Sequence, residues 1–141
     1  MKLLNLLAIV CFSLAFSQSK TTQKQAEKPL DNPTKCSNIK EGTFLRINYP
    51  KNLWYMTVKD NVQTEFYNDG KDFIKSTMVF VDDCTYKSIV LDVQGKDIRI
   101  KVDDVFTNKI VATQDNYIKI QSQISGDKYN FVLVKVKENQ K

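Results

Sequence analysis

Few residues in this chain have the chemistry to act on a substrate, and their spacing narrows the choice further. There is no histidine among the 141 residues. That removes the usual general base, the Ser-His-Asp arrangement and the commonest zinc ligand. The four glycines fall at separate turns or strand starts, so no Gly-rich loop cradles a phosphate. Three cysteines are present, Cys11, Cys36 and Cys84, with no Cys-x-x-Cys pair to support redox catalysis. Carboxylates are plentiful, and composition alone leaves room for a paired-carboxylate glycosidase. Their positions argue against it. Most lie at expected turns or on outward parity, and solvent-facing positions account for Glu65 and Asp92 within expected strands. Asp82 and Asp83 are neighbours at a turn, which is the usual make-up of a solvated hairpin tip rather than of a metal site. No catalytic, metal or cofactor site is expected, and the chain reads as non-catalytic.

Residues 1–17 read as a secretory signal peptide. Lys2 supplies the basic start, Leu3 to Phe16 is apolar apart from Asn5 and Ser13, and Ala15-Phe16-Ser17 offers small residues for cleavage before Gln18. The apolar run is shorter than the roughly 20 residues a transmembrane helix needs, and no later segment is longer. A lipid anchor on Cys11 would want a small residue before it, where Val10 stands. Residues 18–35 are polar, with Pro29 and Pro33, and read as a flexible leader that cannot bury apolar surface. Loss of Lys2 lowers the net charge from +5 to +4, and half of that belongs to the leader. The Lys residues are scattered and only two residues are Arg, so nothing forms the basic stripe of a nucleic-acid binder. Export conflicts with nuclear or nucleoid work as well.

In an exported chain the remaining even pair, Cys36 and Cys84, suggests a disulfide, the competing reading being two unpaired thiols. The bridge would close a loop of about 49 residues, which the chain-entropy argument values at roughly 4 kcal/mol. It would tie the start of the first strand to the start of the fifth.

The elements that would position these residues are strands, and residues 36–141 form one domain of them. The organising stretch runs from Val62 to Val93 as three strands with short turns. In Val62 to Tyr67 one parity carries Val62, Thr64 and Phe66 and the other Gln63, Glu65 and Tyr67, the alternation of a half-buried strand. Asn68-Asp69-Gly70-Lys71 turns, Phe73 to Val81 is rich in β-branched and aromatic residues, and Cys84 to Val93 follows. Upstream, Gly42 to Tyr49 and Leu53 to Lys59 make two strands, the second with Trp54, Met56 and Val58 on one face, and Asp60-Asn61 is a two-residue turn. Downstream, Asp97 to Phe106 alternates Ile98, Ile100 and Val102 with Arg99, Lys101 and Asp103, and Thr107-Asn108-Lys109 turns. Ile110 to Gln121 is interrupted at Gln114-Asp115-Asn116, so it carries a bulge or splits in two; Lys128 to Lys137 closes the series. About eight antiparallel strands at regular spacing, with short connections and no helical periodicity, predict an all-β fold, a single up-and-down barrel in preference to a sandwich.

Cys36-x5-Gly42-x-Phe44, then Gln63-x-Glu65, then Asp83-Cys84-Thr85-Tyr86 resembles a group of small exported proteins from Bacteroidetes. That group shares a signal peptide, a Cys followed by Gly-x-Phe and a later Cys-x-Tyr. The resemblance covers nearly all of the chain after residue 17 and implies a lipocalin-like barrel of uncharacterised role. A Trp common in the group's strand before Cys-x-Tyr is replaced here by Phe80 or its neighbours. Some members carry a topoisomerase label, which nothing here fits: the chain is short, reads as exported and has no nucleotide-binding motif. Gly42-Thr43-Phe44 also resembles the Gly-x-Trp of the first lipocalin strand, with Phe44 expected to plug one end of the barrel.

Two functional expectations follow. The first is a carrier of a small apolar ligand, with Trp54, Met56, Phe66, Tyr86 and Val90 as lining, although the same residues more often make an ordinary packed core. The second is a protein-interaction module, an inhibitor or envelope accessory, anchored by Tyr49, Tyr55, Tyr67 and Tyr129.

Overall fold

Tight turns set the architecture, because they decide which strand residues stand opposite one another. Asp60 and Asn61 both adopt positive φ (52° and 59°), as do Ser125 and Gly126 (48° and 91°). That geometry matches the twist of a two-residue hairpin. The computed structural model describes residues 28–137. The expected signal peptide and leader residues 18–27 lie outside the described residues. Eight strands follow a 3-10 turn, Cys36–Ile39: β1 Gly42–Arg46, β2 Trp54–Lys59, β3 Val62–Tyr67, β4 Asp72–Phe80, β5 Thr85–Gln94, β6 Val105–Gln114, β7 Tyr117–Ile124 and β8 Asp127–Lys135, with a second short 3-10 turn, Asn68–Gly70, between β3 and β4. Each pairs antiparallel with the next, and β8 returns to β1, so the sheet is a closed up-and-down barrel. Among the described residues no helix is long and apolar enough to cross a membrane.

Closure rests on three residue pairs, Phe44 with Lys135, Leu45 with Val134 and Arg46 with Leu133. Two bulges add curvature. Leu91 is the extra residue where the β4–β5 register shifts, and Val111 is the extra residue between β6 and β7.

The barrel has two unlike ends. At the closed end Ile39 of the 3-10 turn and Phe44 are wholly buried, and they pack in one cluster with Met56, Val58, Met78, Ile110, Ile118, Ile120 and Leu133. Each such aliphatic side chain contributes roughly 1.5–3 kcal/mol by leaving water. The Cys36–Cys84 disulfide sits at this end, with a Cα–Cα distance of 5.1 Å and a sequence separation of 48. It ties the 3-10 turn to the β4–β5 turn. Residues 28–35 of the expected leader also lie here. The Asp31 amide donates to the Thr113 carbonyl at 2.8 Å, and the Lys35 amide to Thr113 Oγ1 at 2.9 Å. This part of the leader is therefore docked on β6, because its backbone finds partners that its side-chain composition does not advertise.

The expected strand Asp97–Phe106 is not formed. Residues 95–104 are a loop over the other, open end, and β6 begins only at Val105. The alternation of Ile98 and Ile100 is real, but it comes from a loop that presents one side to the barrel. Asp103 takes a positive φ of 73°. The Asp104 carboxylate accepts from the Lys101 amide at 2.8 Å, turning the chain locally. The Asp103 amide donates to the Val90 carbonyl and the Val90 amide donates to the Asp104 carbonyl, both at 2.9 Å, which fastens the loop to β5. The expected turn Thr107-Asn108-Lys109 accordingly lies inside β6. The interruption at Asp115-Asn116 is a full two-residue turn between β6 and β7.

Candidate functional site

Three donors converge on one carboxylate inside the barrel. Glu65 Oε2 accepts from Trp54 Nε1 at 3.0 Å and from the Tyr67 hydroxyl at 2.9 Å, and Glu65 Oε1 accepts from Gln63 Nε2 at 2.9 Å. The strand register brings them together. Trp54 stands opposite Tyr67, Met56 opposite Glu65 and Val58 opposite Gln63. Opposed residues share a face, so the inward parity of β2 forces Gln63, Glu65 and Tyr67 inward too. The polar chain continues across the interior: the Ser88 hydroxyl donates to Gln63 Oε1 and Asn108 Nδ2 donates to Ser88 Oγ, each at 3.1 Å.

Around this network lies a cavity of about 470 Å³ towards the open end. Met56, Ile74, Tyr86 and Leu133 form its apolar floor, and Ile100, Phe106 and Ile124 lie in its upper wall. Tyr129, about half exposed, marks where the cavity meets solvent. Among the described residues, Arg46 and Glu65 are the only charged ones in the lining. The Arg46 guanidinium carbon lies 4.6 Å from the Trp54 ring centroid and 5.2 Å from that of Phe131, a cation in contact with two aromatic rings.

Burial raises the pKa of the Tyr67 phenol well above its ordinary value, and the charge of Glu65 and the hydrogen bond to it push the same way. The Tyr86 phenol is raised for the same first reason, with Glu65 contributing again. Both hydroxyls therefore stay protonated, which keeps Tyr67 a donor to Glu65.

Of the residues expected to line a site, Trp54, Met56 and Tyr86 do border the cavity. Val90 is fully buried but lies outside the lining, beneath the backbone of the loop that bonds to it. Phe66 is on the outer surface, stacked on Tyr55 with ring centroids 4.7 Å apart. Its placement in the interior is corrected, and so is the solvent-facing reading of Glu65. Both corrections have one physical cause: the register with β2, not hydropathy, sets which parity of β3 faces inward. Asp92 is exposed. Arg46 carried a usable signal that hydropathy hides, since it stands two residues after the buried Phe44 and so shares its face.

Among the described residues the lining holds one carboxylate and no second acid to pair with it, and no three potential metal-ligating side chains gather in one place. The arrangement offers oriented donors, one cation set against aromatic rings and an apolar floor, which are means of holding a molecule. Compared with known proteins, the chain matches no family model, none of the curated proteins and no solved structure.

Proposed function

We propose that this protein is an exported, non-catalytic carrier that holds one small molecule in the open-ended cavity of its barrel. The observation that carries the reading is the cavity itself. Its volume of about 470 Å³ is within the range of small-molecule sites, roughly 300–1,000 Å³. Eight-stranded barrels either fill their interiors with side chains or hold one small ligand. Here the closed half is filled and the open half is not. The lining also combines an apolar floor with a few fixed polar groups, the usual composition of such sites. Export is supported by the apolar start of the chain and by the disulfide, since disulfides persist in oxidising compartments.

The interaction-module reading has less support. Of its anchors, Tyr67 points into the barrel and Tyr55 is covered by Phe66, leaving Tyr49 and Tyr129.

The test uses Trp54, the only tryptophan in the chain, which borders the cavity. Titration with the neutral probe N-phenylnaphthylamine should quench Trp54 by energy transfer and saturate at one probe per chain. Ser122→Phe fills the cavity from β7 and should weaken binding at least tenfold while cooperative unfolding is retained. Undiminished binding by a folded Ser122→Phe protein, or no saturable binding by the natural chain, would overturn the proposal.

A further inference from the structure

The two charges in the cavity are not equivalent, and their difference points to a class of ligand. Glu65 already accepts three hydrogen bonds. Arg46 has none of this. Among the described residues it enters no ion pair, and its Nε is buried with no hydrogen-bond partner. Its guanidinium carbon lies over the Trp54 and Phe131 rings, contacts that hold the cation but give its N–H donors no lone-pair acceptor. A buried donor without an acceptor is costly, more so when it is charged.

Entry of a wholly apolar molecule would strip water from Arg46 and return nothing. A ligand with an anionic head would supply the missing acceptors, and a carboxylate matches the donor fork two bonds at a time. The apolar floor of Met56, Ile74 and Leu133 suits the rest of such a molecule.

Resting on the carrier reading, we infer that the ligand is an amphipathic monocarboxylate, its apolar body on the cavity floor and its carboxylate paired with Arg46. This revises the expectation of a purely apolar ligand.

Decanoate, decanol and decylamine share a tail and differ in the head group. Each is used to displace N-phenylnaphthylamine from the natural chain and from Arg46→Gln. Decanoate should bind the natural chain at least tenfold more tightly than decanol. Arg46→Gln should abolish that preference by weakening decanoate at least tenfold, whereas decanol, which no longer strips water from a charge, should bind no more weakly than it does to the natural chain. Equal binding of decanoate and decanol by the natural chain overturns the inference even if Arg46→Gln fails to fold. A preference that survives Arg46→Gln overturns it too. Tightest binding of decylamine would make Glu65 the group that reads the ligand head, against the inference. In all three cases the neutral probe still binds, so the carrier reading stands; loss of probe binding to the natural chain is the separate failure of that reading.

Discussion

The Trp54 indole donates to Glu65 Oε2 at 3.0 Å across the β2–β3 ladder, so the only tryptophan of the chain and the only carboxylate of the cavity are held as a pair. Replacing Glu65 by Leu removes the acceptor shared by Trp54, Gln63 and Tyr67. Buried donors left unsatisfied cost about 1–3 kcal/mol. Glu65→Leu should lower the unfolding free energy by that amount, read as a lower urea midpoint with the m-value unchanged. Glu65→Gln keeps a carbonyl acceptor and should lose less than half as much. Equal losses would show that shape, not the hydrogen bonds, holds the pair.

The buried phenols make stability fall on the alkaline side. Folding raises the pKa values of Tyr67 and Tyr86 above the unfolded value of about 10. Their contribution is therefore complete below about pH 10 and is lost as pH rises further, because the unfolded chain releases protons that the folded chain keeps. Between about pH 9 and about pH 11 the natural chain should lose more stability than Tyr67→Phe does. Urea denaturation of both at each pH checks this, and parallel slopes would contradict it.

Gly95 opens the loop over the cavity with a φ of 144°. A Cβ there would stand 2.8 Å from Ile98 Cδ1 and 3.1 Å from Asp72 Cβ. Gly95→Ala combines backbone strain with this crowding and should cost about 1–3 kcal/mol. Because the loop is tied to β5 only around Val90, amide exchange should quicken at residues 96–104 before the strands are affected.

The Cys36–Cys84 bridge joins residues 48 apart in sequence at the filled end, and its Cα separation of 5.1 Å lies in the ordinary range for a disulfide. Cys36→Ala with Cys84→Ala should lower unfolding stability by roughly 4 kcal/mol. Thiol labelling of the unfolded, unreduced chain should modify neither cysteine.

Much of the fold was legible because a barrel is written in local terms. The β3 boundaries, Val62–Tyr67, match the alternation, and Asp60-Asn61 is the two-residue turn its composition implies. The count of eight strands came out right through two compensating errors. Asp97–Phe106 is a loop, and Ile110–Gln121 covers parts of two strands joined at Asp115-Asn116. Period-two hydropathy reports that one side of a segment is covered; it does not report whether a partner strand lies beside it.

The site was less legible. Phe66 is apolar and Glu65 charged, yet the charged residue faces inward, because Val58 must stand opposite Gln63 once Asp60-Asn61 makes a two-residue turn. That inference was open from the sequence alone, through register instead of hydropathy. Arg46 was likewise open through its parity with Phe44.

By itself, then, the sequence determined an antiparallel barrel, the two-residue turn Asp60-Asn61 and the Cys36–Cys84 bridge, since side-chain alternation, turn chemistry and cysteine parity are short-range properties. Only the tertiary structure decided that one half is packed solid while the other keeps a cavity with Arg46 and Glu65 in its wall. Whether an interior fills depends on the summed volumes of side chains from strands far apart in the chain, and no local pattern encodes that sum.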